Sequence, residues 1–254
     1  MEATLPEHLA LIAGKGAYPR LLAESARTQG VQRLVAIAFR GETDSAIRHV
    51  VDETHWLHVG QLTRLLDTLK LTGVRHAVMA GQITPTNLFR VRMDRAMFDL
   101  LRSLPQRNAE TIFGAVATAL HTVGVELLPA LAFMEAHMPA AGNLSARAPT
   151  TVELSDIALG QTVARTTSGL DIGQTVVIKQ GTILAVEAFE GTDETIARAG
   201  KLGGAGIVVV KIAKPGHDMR FDIPVIGDRT LRLLRKVKAG ALAVEAGRAI
   251  LLER

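Results

Sequence analysis

The sequence has no cysteine, which excludes disulfides and thiolate metal sites and fits a cytoplasmic protein. Aromatic residues make up 4% of the chain, with one Trp and one Tyr; that is too few for the stacking platforms that hold single-stranded nucleic acid, and no nucleic-acid partner is expected. No apolar run reaches the roughly 18 to 20 residues that a membrane span needs. The first residues, MEATLPEHLALIAGKG, carry acidic groups and only a short apolar stretch, unlike a secretory signal. Walker A, nucleophile-elbow, zinc-finger and His-Glu-x-x-His patterns are all missing. What remains is a chain of 254 residues, 48% hydrophobic and 21% charged, with a net charge of +4. It is long enough for one large or two small cores, and its mild basicity suits an anionic ligand or surface without naming one.

The first half alternates apolar runs with helical patterns. Leu9–Ala13, Leu34–Phe39 and Ala77–Ala80 read as strands; Pro19–Gln29 and Gln61–Leu71 read as helices. This is the pattern of a parallel α/β unit, whose ligands bind beyond the carboxyl ends of the strands. Met93–Leu104 and Glu110–Thr122 follow as helices, and Leu128–Ala136 as a further short one. The small-residue, Gly- and Pro-containing stretch at 139–150 reads as a linker or an ordinary surface loop. The second half reads as α+β with a mixed sheet. Val152–Thr167 is helical, and Thr175–Lys179 with Thr182–Ala188 forms a hairpin about Gln180-Gly181. Asp193–Lys201 is a helix capped by Thr192 or Asp193. Ile207–Ile212 and Phe221–Ile226 are strands, Thr230–Val237 a helix, and Ala241–Glu245 with Ala249–Leu252 a closing hairpin about Ala246-Gly247. The expected fold is thus α/β, with an N-terminal Rossmann-like parallel-sheet domain over 1–138, a linker over 139–150 and a C-terminal α+β catalytic domain over 151–254.

Three places can carry chemistry. Gly14-Lys15-Gly16 leaves a strand and opens a helix, an arrangement that brings backbone N–H groups to a phosphate or merely makes a tight turn. It is not a dinucleotide fingerprint, because Pro19 stands where a third glycine belongs and no acidic residue ends the second strand. Gly81-Gln82 is expected at the same edge. In the second half, Asp171 precedes the hairpin and Glu187, Glu190, Thr192 and Asp193 follow it. So many carboxylates are costly together unless a cation or hydrogen-bond donors compensate, and a solvated turn with a helix cap is the alternative. Lys211, Lys214, His217, Asp218, Arg220 and Asp222 lie between two strands, where lysines can hold phosphate oxygens and an aspartate inside an apolar run can orient water or a metal; a basic loop is the alternative. Arg229, Arg232, Arg235, Lys236 and Lys238 line a helix, as a solvated basic face or a contact with anionic lipid or nucleic acid, the solvated face being favoured. His55 and His58 have no partnering carboxylate in a metal-ligand pattern.

These blocks occur together and in order: Leu11-Ile12-Ala13-Gly14-x-Gly16; Ala80-Gly81-Gln82; Arg147-Ala148-Pro149-Thr150; Leu170-Asp171-Ile172-Gly173-Gln174; Glu187-Ala188-x-Glu190-Gly191-Thr192-Asp193; Lys211-x-x-Lys214-Pro215-x-x-Asp218-x-Arg220-Phe221-Asp222-x-Pro224; and Ala243-Val244-Glu245-Ala246-Gly247-Arg248. The set resembles the UDP-2,3-diacylglucosamine pyrophosphatases of the LpxI type over nearly the whole chain. The resemblance implies hydrolysis of UDP-2,3-diacylglucosamine to UMP and 2,3-diacylglucosamine 1-phosphate in lipid A biosynthesis, by water attack on the sugar-bound phosphorus, with Mg2+. It implies a ligand held between two domains, a homodimer formed by domain exchange, and a cytoplasmic enzyme in peripheral contact with inner-membrane lipid. Asp222 is then the catalytic residue, with Asp222, Glu187 and Glu190 as metal ligands. Gly14, Gly16, Gly81, Gln82, Asp171, Thr192, Lys211 and Lys214 are the expected substrate contacts. The sequence departs from the family pattern at Asp228, where a proline is expected. A regulator that binds a nucleotide sugar or lipid without catalysis is the rival reading, and a Rossmann-like oxidoreductase the weaker third.

Overall fold

The computed structural model describes residues 5–83, 93–170, 172–214, 216, 218–221 and 223–252. It divides into two units: one takes in the described residues of Met1–Met134 and of Asp218–Asp222, the other those of Glu135–His217 and Ile223–Arg254.

The first unit is built on β1 (His8–Ala13), β2 (Arg33–Phe39), β3 (Glu53–Leu57), β4 (His76–Ala80) and β5 (Glu126–Leu127), in the order β3-β2-β1-β4-β5. Every pairing is parallel, so each strand is reached by a crossover connection instead of a hairpin. The central strands are buried on both faces, so they read as unbroken apolar runs. On one face, α2 (Leu62–Thr72) supplies Leu62, Leu65 and Leu69, while α4 (Ala109–Thr122) supplies Val116, Ala117 and Leu120 to the core. The helix α3 (Arg95–Ser103) packs Met97 and Leu100 against the same core. On the other face, α1 (Tyr18–Thr28) buries Leu22, Ala23 and Ala26, and a short 3-10 helix (Ser45–His49) buries Ile47. β3 escaped sequence reading because it is an edge strand, ETHWL, in which only Leu57 is fully buried.

The second unit has a four-stranded mixed sheet, β10-β8-β6-β7, from β6 (Thr175–Lys179), β7 (Thr182–Val186), β8 (Val208–Lys211) and β10 (Ala241–Val244). β6 runs antiparallel to β7 and β8, and β10 runs parallel to β8. The 19-residue α5 (Thr151–Gly169) covers one face through Ile157, Leu159, Val163 and Ala164. It lies close because Gly160 presents no side chain; a Cβ there would sit 2.6 Å from both Ile178 and Val210. The other face is covered by α6 (Thr192–Gly203) and α7 (Asp228–Lys236), through Ile196, Ala199 and Leu234. The Gln180-Gly181 turn has positive φ at both residues, 48° and 76°, the geometry that matches a two-residue hairpin to strand twist. Asp156, 2% exposed, fixes this turn by accepting N–H bonds from Gln180 at 2.8 Å and Gly181 at 2.7 Å.

Four local expectations are corrected. The stretch expected as a helix at Leu128–Ala136 is a turn followed by a three-residue 3-10 helix, Glu135–His137. Pro129 has no N–H to give, and Phe133 takes φ 66° while its carbonyl accepts from Ser25 and Gln29. Among the described residues of 221–226, strand is confined to the two-residue β9 (Val225–Ile226), and the Phe221 ring turns onto Phe113, 5.8 Å between centroids. The closing hairpin does not form: β10 extends the sheet beside β8, and β11 (Ile250–Leu251) pairs in parallel with β9. Both apolar segments thereby satisfy backbone groups that the edges of β8 and β9 would otherwise leave open. The cap of α6 is Gly191, at φ 85°, not Thr192 or Asp193; those two side chains are engaged elsewhere.

Candidate active site

In the first unit, the loops after β1 and β4 meet where the strand order reverses, the place where open α/β sheets bind ligands. They meet by pairing with each other. Gly14 N–H donates to Ala80 O at 2.7 Å, Lys15 N–H to Gln82 O at 2.7 Å, and Gln82 N–H to Lys15 O at 3.2 Å. The glycines permit this crossing: a Cβ on Gly14 would lie 2.5 Å from Gln82 O, and one on Gly81 2.6 Å from Lys15 O. The amides of Gly14, Lys15 and Gln82, expected to meet phosphate, are therefore already bonded within the chain. Beside them a cleft of about 320 Å3 is lined by Gly14, Gly16, Arg20, Thr43 and Asp44 at the start of α1. Thr43 is held by accepting Phe39 N–H at 2.8 Å and donating to Ala13 O.

In the second unit, the antiparallel register puts the ends of β7 and β8 beside the start of β6. Thr175 and Lys211 face each other across the ladder. Lys211 is only 8% exposed, and its Nζ donates to Thr192 Oγ1 at 2.5 Å. Thr192 sits in the first turn of α6 and donates its one proton to Glu187 Oε1 at 3.0 Å. Thr175 Oγ1 lies 3.3 Å from the same hydroxyl. An ammonium only donates and a carboxylate only accepts, so between Lys211 and Glu187 the Thr192 proton goes to Glu187, the shorter of its two contacts with an acceptor. Glu187 Oε2 is buried and, among the described residues, has no hydrogen-bond partner. Glu187 is placed by its own N–H on Thr175 O at 2.8 Å and by Gly173, where any Cβ would run into the Glu187 carbonyl. Thus Lys211 from one sequence block and Glu187 and Thr192 from another form one cluster. Thr175 was missed by sequence reading, since a threonine opening a strand carries no distinguishing signal.

The other expected residues lie elsewhere or are otherwise engaged. Glu190 Oε1 accepts from Arg198 at 2.6 Å and Thr195 at 3.2 Å, and its Oε2 accepts Ala188 N–H at 3.1 Å. Its own backbone N–H first, then the Arg198 guanidinium, hold this carboxyl below the usual range. Asp193 accepts from Thr230 at 2.7 Å and pairs with Arg229 at 2.8 Å, tying α6 to α7. Asp218 and Arg220 pair closely, which raises the arginine further. Asp228 opens α7 and pairs with Arg232 at 2.6 Å, an i,i+4 helix contact. Lys214 lies beyond the end of β8, partly buried. Asp171, His217 and Asp222 lie outside the described residues. Among the described residues, no group of three His, Asp or Glu side chains is arranged to hold a metal ion.

Fold and site together define a two-unit α/β protein, a Rossmann-type sheet followed by a mixed sheet with a buried lysine-carboxylate cluster at one edge. Comparison with known proteins narrows the class. The family model of the LpxI N-terminal domain matches residues 8–137, and that of the LpxI C-terminal domain matches residues 140–254; the chain belongs to the LpxI family. A relative from Caulobacter vibrioides, named UDP-2,3-diacylglucosamine pyrophosphatase LpxI, is 27% identical over 258 residues, spanning 97% of this chain and 91% of its own. Among solved structures, the biotin carboxylase domain of Hydrogenobacter thermophilus 2-oxoglutarate carboxylase is similar at a TM-score of 0.32 and 11% identity. That match covers 92% of this chain and 41% of the carboxylase chain.

Proposed function

We propose that this protein hydrolyses the pyrophosphate bond of UDP-2,3-diacylglucosamine, releasing UMP and 2,3-diacylglucosamine 1-phosphate for lipid A biosynthesis. Family membership and the name of the Caulobacter relative support the substrate class. The observation that carries the chemistry is the nearly buried Lys211 ammonium, turned by Thr192 at the head of α6. A diphosphate needs its charge neutralised and its leaving phosphate stabilised, and a desolvated ammonium at a helix N-terminus does both more strongly than one in water. Water adds to the sugar-bound phosphorus, the bond from that phosphorus to the bridging oxygen breaks, and the bridging oxygen leaves with UMP. Asp222 is proposed as the group that accepts the water's proton. Lys211, joined by Lys214, balances the negative charge that develops on the phosphoryl oxygens under attack.

Magnesium is part of this reading as an ion that arrives with the diphosphate. The described carboxylates do not make a metal centre by themselves: both oxygens of Glu190 are engaged, and Glu187 has one oxygen committed to Thr192. A divalent cation usually takes one or two protein carboxylates alongside phosphate oxygens, and it would screen the substrate's charge. The same reading has a homodimer, a cytoplasmic location, and contact with inner-membrane lipid through exposed Arg235, Lys236 and Lys238. Among the described residues, no helix is long and apolar enough to cross a membrane.

The test is UMP release from UDP-2,3-diacylglucosamine by the purified protein, with magnesium and with EDTA. Hydrolysis in oxygen-18 water should place the label on the sugar phosphate. Asp222→Ala should retain substrate binding and lose turnover. A protein that binds the substrate and releases no UMP is a binder, and the enzyme reading then falls.

A further inference from the structure

Glu187 and Lys211 are mismatched as they stand. The ammonium has three protons to give, and among the described residues Thr192 Oγ1 is its one acceptor. The carboxylate has a buried oxygen, Oε2, that accepts nothing from the described residues. The two groups do not form an ion pair with each other; one threonine hydroxyl stands between them. A buried carboxylate oxygen with no donor, on a carboxylate that shares the Thr192 hydroxyl with a nearly buried ammonium, is costly unless a ligand with the opposite pattern completes the pair. That ligand has an anionic oxygen for Lys211 and a hydrogen-bond donor, a short distance away, for Glu187 Oε2.

A metal ion answers this pattern poorly. It would sit one hydroxyl away from the Lys211 ammonium, with like charges meeting at low dielectric, and the neighbouring Glu190 is bound to Arg198. A sugar 1-phosphate with an acylamino group at C2 answers it well. Its phosphoryl oxygens face the ammonium, and the amide N–H on the adjacent carbon faces the carboxylate. We infer that Glu187 is a specificity-determining residue whose free oxygen accepts the C2 amide N–H of an acylamino sugar while Lys211 holds the adjoining phosphate. Thr192 fixes the spacing by bonding both. The inference takes the identity of the sugar from the proposed function, and it is scored by binding without turnover, so either can fail without the other.

The test uses soluble probes, N-acetylglucosamine 1-phosphate and 2-deoxyglucose 1-phosphate, titrated into the full chain by NMR with EDTA and then with magnesium. The second probe keeps the phosphate and lacks the donor at C2. Wild-type protein should prefer the acylamino sugar by roughly tenfold or more, the worth of one hydrogen bond to a charged group. In Glu187→Gln the side-chain oxygen stays on Thr192 and an NH2 group replaces Oε2, so a donor meets a donor. That variant should lose the preference and bind the 2-deoxy probe within about twofold of wild type. Lys211→Met should weaken both probes by about tenfold or more. Glu187→Asp, which keeps the charge and withdraws the oxygen, guards against a folding defect and should also lose the preference. A preference that survives in both Glu187 variants overturns the inference. So does a loss seen only with magnesium and equal for the two probes, which would make Glu187 a cation ligand.

Discussion

Replacing Thr192 with valine is the sharpest probe of the cluster, since the side chain keeps its shape and loses only its hydroxyl. In the native protein that hydroxyl accepts from Lys211 at 2.5 Å, donates to Glu187 at 3.0 Å and lies 3.3 Å from Thr175. The valine variant leaves a nearly buried ammonium facing a methyl group. A charge-assisted hydrogen bond in such a place is worth about 1.5–3 kcal/mol. If that is lost in the transition state, kcat/KM for UMP release falls by roughly ten- to 150-fold. Because Lys211 is proposed to meet charge that grows during the reaction, most of the fall should appear in kcat. Thr192→Ser retains the hydroxyl and should recover to within about fivefold of wild type. Valine turning over at the wild-type rate would show that the ammonium needs no positioning. Serine as impaired as valine would show that the methyl group, not the hydrogen bond, matters; either result refutes the reasoning.

Two further predictions concern stability. Asp156→Ala removes both acceptors from the Gln180-Gly181 turn, and urea unfolding of the variant should show a loss of about 3 kcal/mol; an unchanged midpoint would mean the hairpin holds itself. Glu153 is held at a pKa of about 2, against its ordinary 4.5, first by Arg147 and then by the Thr150 N–H in the capping box of α5. A carboxyl depressed in the folded state contributes stability that is complete above about pH 4.5 and fades as pH falls toward 2. Thermal melts should therefore find Glu153→Gln less stable than wild type by about 1 kcal/mol at pH 7, with the gap closing in acid. A gap that is constant down to pH 2 would contradict the assignment.

Much of the fold was legible because burial on both faces leaves a plain mark. LALIA and LVAIAF read as central parallel strands because every residue in them is buried, and HAVMA joins them with Ala77, Val78 and Ala80 buried. The long helix α5 and the hairpin at Gln180-Gly181 were equally local decisions of capping and turn chemistry. Pairing between distant strands was not local. Nothing in ALAV or IL says that each will lie parallel to an earlier strand instead of folding back on its neighbour; the open edges of β8 and β9 decide that. The cap of α6 shows the same limit, because Thr192 and Asp193 have the right chemistry to cap it and are drawn off by Lys211, Glu187, Thr230 and Arg229.

The sequence by itself determined the residue types of the site and their order in blocks: a lysine closing an apolar strand, a glutamate closing another, and a threonine opening a helix. It also determined that glycines stand at 14, 81 and 173. Only the tertiary structure decided what these do. Gly14 and Gly81 serve the crossing of two loops, whose amides bond each other. Glu187 and Glu190, three residues apart, part company, one toward Thr192 with an oxygen left open and one onto Arg198. The reason is physical: a hydrogen bond is settled by position and direction in space, and residues 187, 192 and 211 acquire theirs only when antiparallel strands and a helix bring their ends to one edge.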